Sequence, residues 1–310
     1  MIKNRFAQYE DKIDWEIPSA TNMIYEFIEE NLNKKRENAT DVNRASAATM
    51  CPKRRWYQRR GDEGTPLTPR KIVNFALGDL SEKTLLHFIR EGCVGPGKLY
   101  SEVDFGMETG SFTIQNGFTV RDYTQGDLHT KAGDIEIVGH PDGIGKRNSD
   151  GKWELIEIKS SANYGFSKFK DEGAGDYLNQ AHVLMMSEEL QLLGVKDVRF
   201  YYLRKETGHV WDILHHFDEK IWAATVEGYR ISNQETLPTT PFELERESKW
   251  AGKGKPRKFT GLIKAGFPCS YCPYLDKCHP GLTKEFKKGF DGTISPAFTM
   301  VDPDFKKEEK

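Results

Sequence analysis

One stretch beginning at His140, HPDGIGKRNSDGKWELIEIKS, constrains what this chain can fold into more than any other. Two β-rich runs flank Asp150-Gly151, which reads as a β-hairpin. A two-residue turn sets Asp142 opposite Lys159 and Ile144 opposite Glu157, whereas a four-residue turn sets Asp142 opposite Glu157. In both registers Asp142, Glu157 and Lys159 share one face of the sheet, because strand side chains alternate. Leu155, Ile156 and Ile158 fill both faces of the second strand, so it is expected to be buried on both. Two carboxylates and a lysine thereby converge. Close carboxylates repel, and a cation with oxygen ligands, Mg²⁺ or Mn²⁺, is the ordinary way to satisfy them. The lysine would orient or deprotonate a water, or neutralise charge on a phosphate. The bland alternative is a salt-bridged surface hairpin, against which the apolar neighbours speak.

The surrounding pattern predicts a mixed sheet. Strands are expected in SEVDFGM, SFTIQNGFTV, DIEIVGHPDG and VRFYYLRK, with a helix near Asp176 to Leu193 between KWELIEIKS and VRFYYLRK. HVWDILHHF reads as a strand pairing with VRFYYLRK. Residues 1–45 look helical, with Ile24, Phe27, Ile28 and Leu32 at helical spacing, and further helices are expected at Lys71 to Arg90 and Glu219 to Ile231. On the Lys71 to Arg90 helix Phe75, Gly78, Glu82, Leu85 and Ile89 form a stripe. A carboxylate there is costly unless paired or metal-bound, which makes Glu82 a candidate further ligand. A Glu at the stripe's edge, snorkelling to water, is the alternative.

With 310 residues the chain has room for one large domain or two small ones. Apolar residues at 37%, aromatics at 12% and a mean hydropathy of −0.66 exclude wholesale disorder while leaving a polar surface. No run approaches the ~18 apolar residues of a membrane span, and the opening MIKNRFAQYEDKIDWEIP lacks a signal-peptide core, so a cytoplasmic protein without membrane association is expected. Lys and Arg total 45 against 47 Asp and Glu, which excludes a uniformly basic coat and confines any polyanion partner to a local patch.

Five cysteines without an export signal do not read as a disulfide framework. Cys269, Cys272 and Cys278, in FPCSYCPYLDKCHPG, have two and five residues between them, and Cys51 in ATMCPKRRWYQRR is the natural fourth ligand 217 residues upstream. Closing such a loop costs on the order of 5 kcal/mol, so a metal group binding only the folded form would act as a clasp. Four thiolates suit an iron–sulfur cluster or zinc equally. Cys93 is left over as an ordinary thiol. Next to Cys51, Lys53, Arg54, Arg55, Arg59 and Arg60 surround Trp56 and Tyr57, joining phosphate contacts to ring faces on which bases can stack. Lys255 and Arg257 lie near the other cysteines. A core role for Trp56 and Tyr57 is the alternative.

Pro141-Asp142 followed by Glu157-Ile158-Lys159 resembles the PD-(D/E)XK nuclease signature. Glu82, four residues after Gly78, matches the position where the RecB-like branch has His or Glu, and Gln180 in DYLNQAHVLMM resembles the glutamine of its following helix. The pattern departs at Leu184, where that branch commonly has Tyr; Tyr177 lies one turn before Gln180. One early and three late cysteines bracketing this core are similar to the iron–sulfur nucleases of the AddB and CRISPR-associated RecB-like exonuclease type. The resemblance covers Cys51 to Cys278. It implies an α/β restriction-endonuclease-like core, with a mixed central sheet flanked by helices, over residues 46–282, a helical extension over 1–45, a C-terminal cysteine clasp and a polar tail over 283–310. It implies a [4Fe–4S] cluster on Cys51, Cys269, Cys272 and Cys278. Mg²⁺ or Mn²⁺ would be held by Glu82, Asp142, Glu157 and the Ile158 carbonyl, with Lys159 and Gln180 completing the site. The implied activity is a DNA exonuclease acting on single-stranded or duplex ends, with recombination or repair proteins as partners. The alternatives are a non-catalytic nucleic-acid-binding subunit keeping the fold and cluster, and a zinc-stabilised RNA-binding module.

Overall fold

The computed structural model of the chain describes residues 42–65, 69–104, 113–114, 118–119, 128–161, 163–239, 244–249, 256, 258–266, 269, 272–288 and 294–303. These fall into two compact units, one within 38–61 and 71–238, the other within 62–70 and 239–310. In chain order the first unit contains β1 (Asn43–Arg44), a 3-10 turn (Ala45–Ala47), α1 (Pro52–Arg59), α2 (Pro69–Cys93) and β2 (Tyr100–Asp104). A short pair follows, β3 (Thr113–Ile114) with β4 (Phe118–Thr119), then β5 (Leu128–Ala132), β6 (Ile135–Gly139), β7 (Gly143–Arg147) and β8 (Trp153–Ser161). Next come α3 (Asn163–Glu172), α4 (Tyr177–Met185), α5 (Glu188–Leu192), β9 (Asp197–Arg204), β10 (Val210–His216) and α6 (Glu219–Ser232).

The main sheet is five-stranded, in the order β10-β9-β8-β7-β2, and it is mixed: β8 and β9 run parallel, and the other neighbours antiparallel. The α3–α5 crossover supplies the length that a parallel connection requires. β9 pairs with β10 as the sequence predicts. A three-stranded sheet, β1-β6-β5, adjoins in sequence. β8 is buried on both faces, with Leu155 and Ile156 at 0% exposure and Ile158 at 4%. One face packs Ile156, Ile158, Tyr100 and Tyr201 against Leu85, Leu86 and Ile89 of α2. The other packs Leu155, Phe200 and Tyr202 against Phe169 of α3, Leu184 of α4 and Tyr229 of α6. The fold is therefore a mixed α/β sheet flanked by helices.

The hairpin takes the longer turn. Gly143 pairs with Ile156 and Lys146 with Trp153, and the Arg147 N–H donates to the Lys152 carbonyl across a four-residue loop. Gly151 closes that loop at φ 69°, a left-handed conformation that favours glycine. A buried polar network holds this register. The Glu154 carboxylate, fully buried, accepts from the Tyr100 hydroxyl at 2.6 Å, Arg199 Nε at 2.7 Å and Arg147 Nη1 at 3.1 Å. Arg147 Nη1 also donates to Asp197 at 2.6 Å. The Tyr100 ring reaches Glu154 by lying over Gly145, where a Cβ would stand 2.6 Å from the ring.

Several boundaries differ from expectation. Asn43–Arg44 is a strand rather than the end of a helix, fixed by Asn43 Nδ2 donating to the Glu136 carbonyl at 3.1 Å; the rest of the expected 1–45 helix lies outside the described residues. The Asp176–Leu193 helix is two helices, because the Ser187 hydroxyl accepts the Leu190 N–H and caps a new start. Phe75 is 45% exposed, so the buried stripe of α2 runs through Leu85, Leu86 and Ile89. α3 occupies a stretch with no predicted element. Cys93 packs half-buried beside the α2 core.

The second unit contains the later cysteines and the strands that follow them. Its antiparallel sheet, β11 (Glu245–Lys249), β12 (Lys258–Lys264), β13 (Thr283–Lys288) and β14 (Ile294–Val301), has the order β11-β12-β14-β13. Thr283–Lys288 and Ile294–Val301 are thus paired strands, for which Lys-rich edge sequences give little apolar signal. Asp302, within the expected polar tail, is 5% exposed and its N–H donates to the Gly261 carbonyl.

Replacing Gly145 with Ala should cost about 1–3 kcal/mol, because the Tyr100 ring is fully buried and cannot retreat. The urea midpoint should fall with an unchanged m-value; an unchanged midpoint would mean that this packing does not fix the hairpin.

Candidate active site

The hairpin register delivers the candidate residues. Asp142 precedes β7, and its Oδ2 accepts the Ile158 N–H at 2.5 Å, tying it to the middle of β8. Lys159 Nζ donates to Glu157 Oε2 at 2.6 Å and lies 3.8 Å from Asp142 Oδ2. The Glu157 side chain is 0% exposed, against 13% for Asp142 and 15% for Lys159, so the pair interacts with little screening from water. Glu82 contributes from α2, half-buried.

The electrostatics show the strain of gathering three carboxyls around one ammonium. Burial, then the Asp142 charge, pushes the Glu82 carboxyl up to about 8, with Lys159 pulling the other way. Burial likewise pushes Glu157 up to about 7 against the pull of Lys159, and Asp142 adds to the rise. For Lys159, burial disfavours the charge, but Glu157 and Asp142 outweigh it and hold the ammonium above its ordinary range. Glu157 Oε1 is buried with no hydrogen-bond partner. Asp142, Glu157 and Glu82 are oxygen donors of the type a divalent cation takes, and a half-satisfied buried carboxylate calls for an explanation. Among the described residues no group of three or more His, Cys, Asp or Glu side chains is drawn together closely enough to hold one. The Lys159 ammonium lies near both Glu157 and Asp142 instead.

Gln180 sits half-buried on α4, and among the described residues no hydrogen bond joins it to Asp142, Glu157 or Lys159. One turn earlier, the Tyr177 ring centroid lies 5.6 Å from Lys159 Nζ, a cation–π approach. The sequence reading noted Tyr177 one turn before Gln180 but gave it no role.

The cysteines belong to both units. Cys51 caps α1 in the first. Cys269, Cys272 and Cys278 lie in the second, where the Cys272 N–H donates to the Cys269 carbonyl at 2.9 Å and Cys278 ends the short helix α7 (Leu275–Cys278). That loop is held by Lys277 Nζ on Asp62 Oδ1 at 2.6 Å and by the Thr65 N–H on the Pro273 carbonyl at 2.8 Å.

The basic segment is used differently from expectation. Arg55 is 4% exposed, its guanidinium 4.4 Å from the centroid of the Tyr229 ring, so it is an interior arginine rather than a surface contact. Tyr57 is buried. Arg60 stacks 3.8 Å over Trp56 and donates to the carbonyls of Gln234 and Glu235, and Trp56 Nε1 donates to Gln234 as well. Helix α1 thus uses these groups to cover the end of α6. Lys53, Arg54 and Arg59 are half-buried, while Lys255 and Arg257 lie outside the described residues.

No family model matches the chain, and no curated protein does. Among solved structures it is similar to one described as SSO0001, at 16% identity and a TM-score of 0.39, covering 68% of this chain and 84% of that one. LHK-Exo in complex with dAMP matches at 18% identity and 0.26, covering 35% and 56%. Rai1 of Scheffersomyces stipitis matches at 10% and 0.23, covering 69% and 66%. Among the described residues no helix is long and apolar enough to cross a membrane.

Glu82 and Glu157 hold their protons more tightly folded than at the ordinary carboxyl value of 4.5, so their contribution to stability is present below that pH and is lost as pH rises toward 7 to 8. In chelator, melting temperature should therefore fall across this window, and Asp142→Asn, which removes a repelling charge, should flatten the fall. Parallel melting series that decline equally would show that Asp142 is not the source of the repulsion.

Proposed function

We propose that this chain is a metal-dependent nuclease that hydrolyses phosphodiester bonds of DNA, working as an exonuclease on strand ends, single strands foremost, in recombination, repair or DNA processing. The observation that carries the reading is the contrast between two fully buried carboxylates on β8. Glu154 has every neighbour it needs, whereas Glu157 keeps a buried, unpaired oxygen beside Asp142 and Lys159. A stability role explains the first and not the second.

Asp142, Glu157 and Glu82, with the Ile158 carbonyl, would hold Mg²⁺ or Mn²⁺, and the ion would stabilise the charge that develops on the scissile phosphate. Asp142 is positioned by its bond to the Ile158 N–H. Lys159, kept protonated by its carboxylate neighbours, acts as a hydrogen-bond donor that can hold the attacking water or a phosphate oxygen. Tyr177 backs the ammonium from α4. Gln180 remains a candidate further contact on the same helix.

A second, structural metal group belongs to the same proposal. Cys51, Cys269, Cys272 and Cys278 would bind a [4Fe–4S] cluster linking the start of the chain's nuclease core to its later cysteines. The support is their spacing and the compact backbone turn of the last three. Nucleic acid is the proposed partner, with recombination or repair proteins beside it.

Labelled single- and double-stranded DNA incubated with Mg²⁺ or Mn²⁺ tests the activity. Asp142→Ala, Glu157→Ala and Lys159→Ala should each lower cleavage by at least about 10²-fold while folding is retained. Near-parent turnover in any correctly folded carboxylate variant would remove it from the site. Protein purified without oxygen should be brown, with absorbance near roughly 400 nm that Cys51→Ser loses and Cys93→Ser keeps. Colourless protein carrying zinc and no iron would replace the cluster by a zinc site.

A further inference from the structure

Beside α1 the first unit carries a cavity of about 100 Å³ that includes none of the candidate active-site residues. Among the described residues three arginines line it, Arg44, Arg55 and Arg59, with Ser46 and Gln58 as further polar groups. Arg55 is the decisive one. A guanidinium stays charged in proteins, so burying it requires a counter-charge or a full set of acceptors. Arg55 is 4% exposed, yet its Nε and Nη1 are buried without a hydrogen-bond partner. Its position is not accidental slack. The group is wedged against the Tyr229 ring, and Arg55 Nη2 lies so close to α6 that a Cβ at Gly228 would stand 2.8 Å from it. The Tyr229 hydroxyl donates in turn to the Arg44 carbonyl at 2.7 Å, which anchors the opposite wall.

We infer that this cavity is a binding site for a phosphoryl group. A small cavity with three arginines among its lining residues suits a tetrahedral oxyanion, which accepts donors from several directions, better than a planar carboxylate. The volume admits several waters or one such group. The phosphoryl group can belong to free phosphate or to the end of a nucleic-acid strand. The second source rests on the nuclease reading; the site itself does not.

The test uses the full chain in chelator at constant ionic strength. Inorganic phosphate should bind saturably by calorimetry and raise the melting temperature. Arg44→Gln and Arg59→Gln, at the less buried positions, should each weaken binding about 10- to 100-fold, the worth of a charged hydrogen bond. Arg55→Lys should weaken it as well, and if that variant fails to fold the other two still decide. Arg230→Gln, an exposed arginine paired with Glu227, should leave binding unchanged. A second arm compares single-stranded oligonucleotides ending in 5′-phosphate, 3′-phosphate or hydroxyl. An end phosphate that adds at least tenfold affinity, erased by Arg44→Gln and Arg59→Gln, identifies a strand end as the source. Phosphate binding without an end effect identifies the free anion and keeps the site. Absence of both, or equal losses in Arg230→Gln, overturns the inference. Lys159→Ala should abolish cleavage but keep phosphate binding, so failure of the cleavage reading and failure of this one are separable.

Discussion

A strand buried on both faces can hold a carboxylate only against a large desolvation cost, and β8 holds two, pointing to opposite faces. Glu154 meets that cost with two arginines and a tyrosine hydroxyl, a closed network of the kind that fixes a unique arrangement. Glu157 has one ammonium, and the second oxygen has nothing. Everything else about the sheet follows from keeping these two groups on their proper sides.

A slip of one residue between β7 and β8 would exchange the faces, sending Glu157 and Lys159 to the side of the arginine network and Glu154 away from it. Several features oppose that slip together. Gly145 admits the Tyr100 ring, Tyr100 reaches Glu154, and Arg147 joins Glu154 to Asp197 at the start of β9. Arg147 also binds Asp150 within the turn at 2.7 Å, so loop and network share one side chain. The structural face of the strand thereby sets the geometry of the other face. The contact between Asp142 and the Ile158 N–H is then a consequence of register rather than of the site's own chemistry.

The parts legible in the sequence are those with a strong local signal. Leu155, Ile156 and Ile158 announced a strand buried on both faces, and period-two alternation placed Asp142, Glu157 and Lys159 together under either turn length. The turn length itself was not legible, because Asp150-Gly151 suits a two-residue turn and the deciding partner, Glu154, lies outside the turn. α3 was missed because the stretch from Asn163 has no clean apolar stripe in sequence. The strands at 283–301 were read as a tail because their lysines mimic solvated chain, and pairing with β12 is a long-range event.

Arginine is where composition misled most. Five cations within eight residues, Lys53 to Arg60, read as a basic coat, but a sequence does not say which guanidinium points outward. The answer depends on α6, more than 160 residues later, where Gly228 and Tyr229 make a flat surface and the carbonyls of Gln234 and Glu235 need donors. Arg60 serves the carbonyls and covers Trp56, which removes that ring as a base-stacking platform. Arg55 packs on Tyr229, and among the described residues its Nε and Nη1 have no hydrogen-bond partner. A chain whose formal net charge is only −2 can still hold a strongly positive interior point. In a low-dielectric wall such a point attracts an anion more effectively than the same charges spread over solvent-exposed side chains.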